Sequence, residues 1–240
     1  MHIHDPLWMR IFLAVHITAG GGAFVLAPLA LMTAKGGKAH RLWGKIYFWS
    51  MTVVAATALT MALWRPVLFL AFVSVFSFYS AFIAYRVLGQ KAAWKGERVA
   101  TALDWAAAAI DFVCSATLAT LGAVRPALVS NLGIPAMIFG GIGIWLAVNA
   151  VWQFTHPPKE KMFWWYGHLQ GMLGSYIAAW TAFCVVTIGP LLHGAWWIWI
   201  TPTAIGVPAM IATTAYYKRK FAPKKQGAGH RAQGSGKATA

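Results

Sequence analysis

Four histidines and two aspartates stand inside or at the edges of long apolar stretches: His16, His40, Asp104, Asp111, His168 and His193. An ionisable side chain in such a setting costs at least about 2.5 kcal/mol, so it implies a partner and a use. Three of the histidines share a local pattern. His16 is followed by Gly20, Ala23 and Ala27, His40 by Gly44, and His168 by Gly171, Ser175 and Ala178. These helical spacings put each imidazole at one end of a small-residue stripe on its own helix face. Two uses fit such a stripe. It is a groove into which a neighbouring helix packs, with the imidazole hydrogen-bonded across it, or a seat for a flat macrocycle whose iron the imidazole ligates.

Asp104 and Asp111 share one helix face, with Ala106, Ala107, Ala108 and Ala109 between them. Small side chains let a neighbouring helix press close to those carboxyls. Each is then expected to be neutral or paired with a cation, a histidine above all. The plainer reading is interhelical hydrogen bonding that fixes the bundle. Asn149 and Gln153, four residues apart, also share a face. Arg41, beside His40, suits a haem propionate or a lipid phosphate, or simply marks the cytoplasmic side. Met172 follows His168 by one turn on the same face, so it cannot ligate the same iron from the opposite side and is read as packing. A hydrolytic zinc site has little support, because no two histidines within a span lie three to five apart and HEXXH is absent. A retinal protein is excluded by the lack of a lysine in the last apolar run. Cys114 and Cys184 sit in apolar runs and are expected to be packed thiols.

Helices must position these groups. Only 10% of the 240 residues are charged and 59% are apolar. Apolar runs at approximately 8–33, 43–64, 66–86, 100–123, 134–154, 163–188 and 192–217 recur at the length a bilayer demands, about 20 residues each. The expected fold is all-α: a polytopic transmembrane bundle of seven spans over residues 1–217, then a basic, disordered cytoplasmic tail over 218–240. The first run is too long for a cleaved signal peptide and is read as part of the bundle. Of the twenty Lys and Arg residues, all but Arg10, Arg65 and Arg125 fall in the connections after spans one, three and five or in the tail. That bias puts the N-terminus outside and the C-terminus in the cytoplasm, as seven crossings also require. Topology thereby accounts for the net charge of +15, and nucleic acid is not an expected partner. At 1.5 Å per residue, His16 lies roughly 12 Å deep from the outer face and His168 roughly 8 Å above the inner one. His40, His168, Asp104, Asn149 and Gln153 form an expected inner cluster. His16, His193 and Asp111 form an outer one.

The stretch HITAGGGAFVLAPLALMTAKGGKAHRLWGKIYF resembles bacterial membrane proteins grouped as domain of unknown function 2306, as does HLQGMLGSYIAAWTAF. The matching positions are His16, His40, Arg41, Gly44, His168, Met172, Ser175 and Tyr176, and Gln170 departs from the pattern. The resemblance implies an integral protein of the bacterial inner membrane and supports these site residues, without implying a reaction. The two-sided histidine layout is similar to di-haem cytochromes of the b561 type. That similarity implies haem b at an inner site through His40 and His168 and at an outer site through His16 and His193. Electrons would then pass from a quinol or another reduced donor to an acceptor. The alternative is a non-redox transporter or scaffold in which His16, Asp111, Asp104 and His168 relay protons or lock helices together.

Overall fold

The computed structural model describes residues 6–65, 67–193 and 195–222. Among these, seven α-helices follow in chain order: α1 (Leu7–Met32), α2 (Lys38–Trp64), α3 (Leu68–Arg86), α4 (Ala102–Val124), α5 (Gly133–Thr155), α6 (Phe163–Thr187) and α7 (Thr201–Phe221). Short 3-10 turns join them, and the described residues contain no strand. α1, α3, α4, α5, α6 and α7 are each long and apolar enough to cross a membrane. α2 is as long, at 27 residues, with Lys38, His40, Arg41 and Lys45 gathered in its first two turns.

The outer surface explains why these segments are helices. Ile11, Val25, Trp49, Val113, Trp145, Val186 and Ile205 all point away from the bundle, which suits hydrocarbon and not water. In hydrocarbon each backbone N–H and C=O must be satisfied within the segment, and a helix does that. Hydroxyls follow the same rule by donating one turn back along the helix: Thr18 to Ala14 O, Thr52 to Phe48 O, Thr117 to Val113 O and Thr181 to Ile177 O.

α3 sits at the centre, packed against α2, α4, α5 and α6. Its apolar stretch is 44% buried within the bundle, against 11% for α1 at the rim. Around it α1 pairs with α2, α4 with α5, and α6 with α7. The α4–α5 seam is the tightest: a Cβ built on Gly140 would lie 2.6 Å from the Ser115 carbonyl oxygen and 2.7 Å from the Ala119 nitrogen. One on Gly122 would lie 2.8 Å from the Gly133 carbonyl oxygen.

The last helix begins later than the apolar run suggests. Pro190 is the second residue of a 3-10 turn over Gly189–Leu192 that His193 ends in the left-handed conformation, at φ 53°. A second turn over Trp196–Trp199 precedes α7. His193 is therefore not the opening residue of a span. Pro202 lies in the first turn of α7, where proline suits a helix, and only Pro208 lies inside it. Lys218, Arg219 and Lys220, assigned above to the tail, form the basic last turn of α7, where cations face the free carbonyls. Residues 223–240 of the expected tail lie outside the described residues.

Candidate functional site

His40, in the first turn of α2, and His168, in the second turn of α6, come together. Their ring centres are 6.2 Å apart and their planes cross at 79°. Each ring is held by a helix other than its own. His40 Nδ1 donates to Ala30 O at 3.0 Å, and His168 Nδ1 donates to Ala84 O at 2.9 Å. Both acceptors belong to helix ends, in the last turns of α1 and α3, where carbonyls lack an intrahelical donor. Because a carbonyl only accepts, each Nδ1 carries a proton, and a neutral ring keeps its lone pair on Nε2. A metal-ligating histidine is commonly oriented this way. Two imidazoles that shared one metal would have ring centres about 6 Å apart, from bonds of ~2 Å and ~1 Å from each nitrogen to its ring centre, and the His40 and His168 rings, in edge contact, lie 6.2 Å apart.

His16 follows the same rule on the other half of α1. Its Nδ1 donates to Val54 O at 3.1 Å and lies 2.9 Å from Thr57 Oγ1, both on α2. His193 is exposed in the turn after α6, and among the described residues no hydrogen bond or ring contact joins it to His16.

The stripes hold helices. A Cβ on Gly171 would meet Ala84 Cβ at 2.6 Å and Ser80 O at 2.8 Å, while Ser80 Oγ donates to Gly171 O at 3.0 Å. Ser175 is fully buried and hydrogen-bonded to the Tyr47 hydroxyl. Ala23 and Ala27 of the His16 stripe are buried with Tyr47, Phe48 and Met51 of α2. Of the two uses that the spacing left open, packing describes the stripes of α1 and α6. Gly44, one turn after His40, differs, since a Cβ there meets nothing within 4 Å. Arg41 beside it is exposed. Met172 packs in the core with Tyr176, as expected.

The aspartates part company. Asp104, 2% exposed, does not pair with a histidine. Arg86 at the end of α3 grips it with two bonds, Nε to Oδ1 at 2.7 Å and Nη2 to Oδ2 at 2.8 Å. The same carboxylate accepts the Thr101 N–H at 2.8 Å and so caps α4. The correction has a plain cause. Arg86 counted as a topology charge in the sequence, whereas antiparallel packing of α3 on α4 brings it over the first turn of α4, and a guanidinium matches a carboxylate in a way an imidazole cannot. Asp111 is fully buried, and neither oxygen has a hydrogen-bond partner among the described residues. Asn149 is half-buried on α5. Gln153 is exposed and lines a small cavity at the basic end with Gln90, Arg98, His156 and Phe163.

Arg86, Tyr79, Tyr47, Thr57, Ser80 and Ser115 are among the polar residues that spacing did not single out. Arg86, Tyr47, Thr57 and Ser80 bond across helices, and no single helix face carries that signal. No family model, curated protein or solved structure matches the chain.

Proposed function

We propose that the chain is an integral protein of the bacterial inner membrane, crossing seven times with its N-terminus outside and its C-terminus in the cytoplasm. In this reading it binds one haem b between His40 and His168 and passes electrons from a quinol or another reduced membrane donor to an acceptor. The six long apolar helices and the gathering of Lys and Arg in alternate connections support the topology. The apolar stretch 46–64 of α2 supplies the remaining crossing. The lipid bilayer is then the standing partner.

The haem reading rests on one observation: two imidazoles from different helices, 6.2 Å apart, each tied through Nδ1 so that Nε2 is left to ligate. The donors fit a bis-imidazole iron, whose contribution when bound is reversible one-electron transfer. The chain's share is to fix both rings and to shield the centre with α1 and α3. The filled stripe of α6 offers no seat for the ring. Open space at Gly44 is the feature that favours a macrocycle on the α2 side. His16 and His193 are assigned no second haem.

The test is the absorption spectrum of protein purified in mild detergent after expression with ample haem, oxidised and then reduced. The expected result is a Soret band at one haem per chain, lost in His40→Ala and in His168→Ala and kept in His193→Ala. Two haems, one lost in His16→Ala, would restore an outer site. A folded, colourless preparation would end the haem reading. The non-redox transporter or scaffold would remain, and the unpartnered Asp111 is the observation that favours it.

A further inference from the structure

Three buried side-chain oxygens lack a hydrogen-bond partner among the described residues, and they belong to two neighbours: Oδ1 and Oδ2 of Asp111 and the hydroxyl of Tyr79. The helix register explains the juxtaposition. Arg86 of α3 grips Asp104 of α4, and the two helices run antiparallel. Two turns inward from that pair, Tyr79 on α3 comes level with Asp111 on α4. Tyr79 lies within electrostatic reach of both aspartates. It packs with Ala108 of α4 and with Ala147 and Ala150 of α5. The third wall is Gly143, where a Cβ would come 3.7 Å from Asp111 Oδ2 and 2.0 Å from Ser115 Oγ. Ser115 stands one turn along α4, its hydroxyl close enough to act on the carboxyl without meeting hydrogen-bond geometry.

An ionised carboxylate enclosed in this way, with no cation beside it and no hydrogen bond made to it among the described residues, is the most costly arrangement a buried acid can take. Among the described residues no cation is paired with it. Tyr79 is the titratable group that α3 presents at this level, Cys114 and, two turns away, Asp104 are those on its own helix, and α5 contains no ionisable residue. A neutral acid removes the charge and leaves a carboxyl that can both donate to and accept from a neighbouring hydroxyl.

We propose that Asp111 is a buried proton-binding site, held as the un-ionised carboxylic acid, and that the Tyr79 hydroxyl is the group through which its proton exchanges toward the Asp104 end of α4. In that exchange Tyr79 takes a proton on its oxygen as it gives up its own, so the phenol is neutral before and after. Nothing in this inference depends on the histidine pair or on haem.

The test is infrared difference spectroscopy on the full chain in detergent at neutral pH, with the aspartate carboxyl carbons isotopically labelled. The chain has three aspartates, Asp5, Asp104 and Asp111, and Asp104 is held ionised by Arg86. An un-ionised C=O band that shifts with the carbon label and again in D2O is expected, and it vanishes in Asp111→Asn. Tyr79→Phe is expected to keep the band and slow its deuterium shift at least about tenfold. Should Asp111→Asn not fold, the label in the wild-type chain still decides between acid and carboxylate. Absence of a labelled acid band overturns the proposal. A band that gives way to carboxylate on addition of sodium also overturns it, in favour of a metal-cation site. An unchanged exchange rate in Tyr79→Phe removes the tyrosine from the path.

Discussion

The seam between α4 and α5 and the corner where α2 meets α6 use the same small residues to opposite ends. Along the seam, glycines let two backbones touch. Ser115 O, Ala119 N and the Gly133 carbonyl oxygen all lie within 3 Å of where a Cβ on Gly140 or Gly122 would stand, and the acid enclosed there has no hydrogen-bond partner among the described residues. At the corner, the imidazoles of His40 and His168 are tied by one nitrogen each, and Gly44 faces open space. The seam is a closed joint that traps a polar group. The corner is a pair of oriented ligands beside room. A stripe of small residues is therefore not one signal, and what separates the two kinds is whether a neighbouring backbone fills it.

The heaviest blow to that contrast is Gly140→Leu. Its new atoms would meet the backbone of α4, which cannot swing aside as a side-chain end can, so α4 and α5 must part. Overpacking here is expected to cost at least about 3 kcal/mol. The readout is the loss of a monodisperse peak and of a cooperative thermal transition in detergent. A near-normal Tm would show the seam to be looser than described.

Next in size is Asp104→Ala. It leaves Arg86 without its carboxylate and α4 without its cap. Removing one partner of a buried pair costs several kcal/mol. Arg86 keeps a side chain 33% exposed and can recover some hydration, which brings the expected loss to about 1–3 kcal/mol. Thermal unfolding measures it. His168→Ala in the same assay tells whether Asp104 belongs with the histidines: additive losses mean two separate sites.

How far the sequence carried is seen in these same residues. Six helices were legible to within about two residues at most ends, because apolar length is a property of one segment. The start of α2 was read five residues late, since Lys38, His40 and Arg41 look like a connection and are helical. The last helix was misjudged at its start because the tryptophan-rich stretch over 196–199 is apolar without being α-helical. Depth placed His40 and His168 in one inner cluster, and their rings adjoin. Arg86 with Asp104 and Tyr79 beside Asp111 were not legible, because α3 lies between α4 and α6 for reasons of packing that no spacing within one helix records. The open or filled state of a stripe depends on the neighbour in the same way.

Gly44 is where the contrast is most finely drawn, and it carries the smallest expected effect on stability. A Cβ there touches nothing, and alanine is favoured over glycine inside a helix by up to about 1 kcal/mol. Gly44→Ala should leave Tm unchanged or slightly higher, the reverse of any substitution along the α4–α5 seam. Gly44→Phe then separates stability from function. With open space before it, the ring should fit at little cost in Tm. If that space is what admits a macrocycle beside His40, haem content should fall while the protein stays folded. A folded Gly44→Phe variant with full haem would put the ring elsewhere around the pair. A Tm that collapses on Gly44→Ala would mean that the corner is closed like the seam, and that the histidines there serve only to satisfy the ends of α1 and α3.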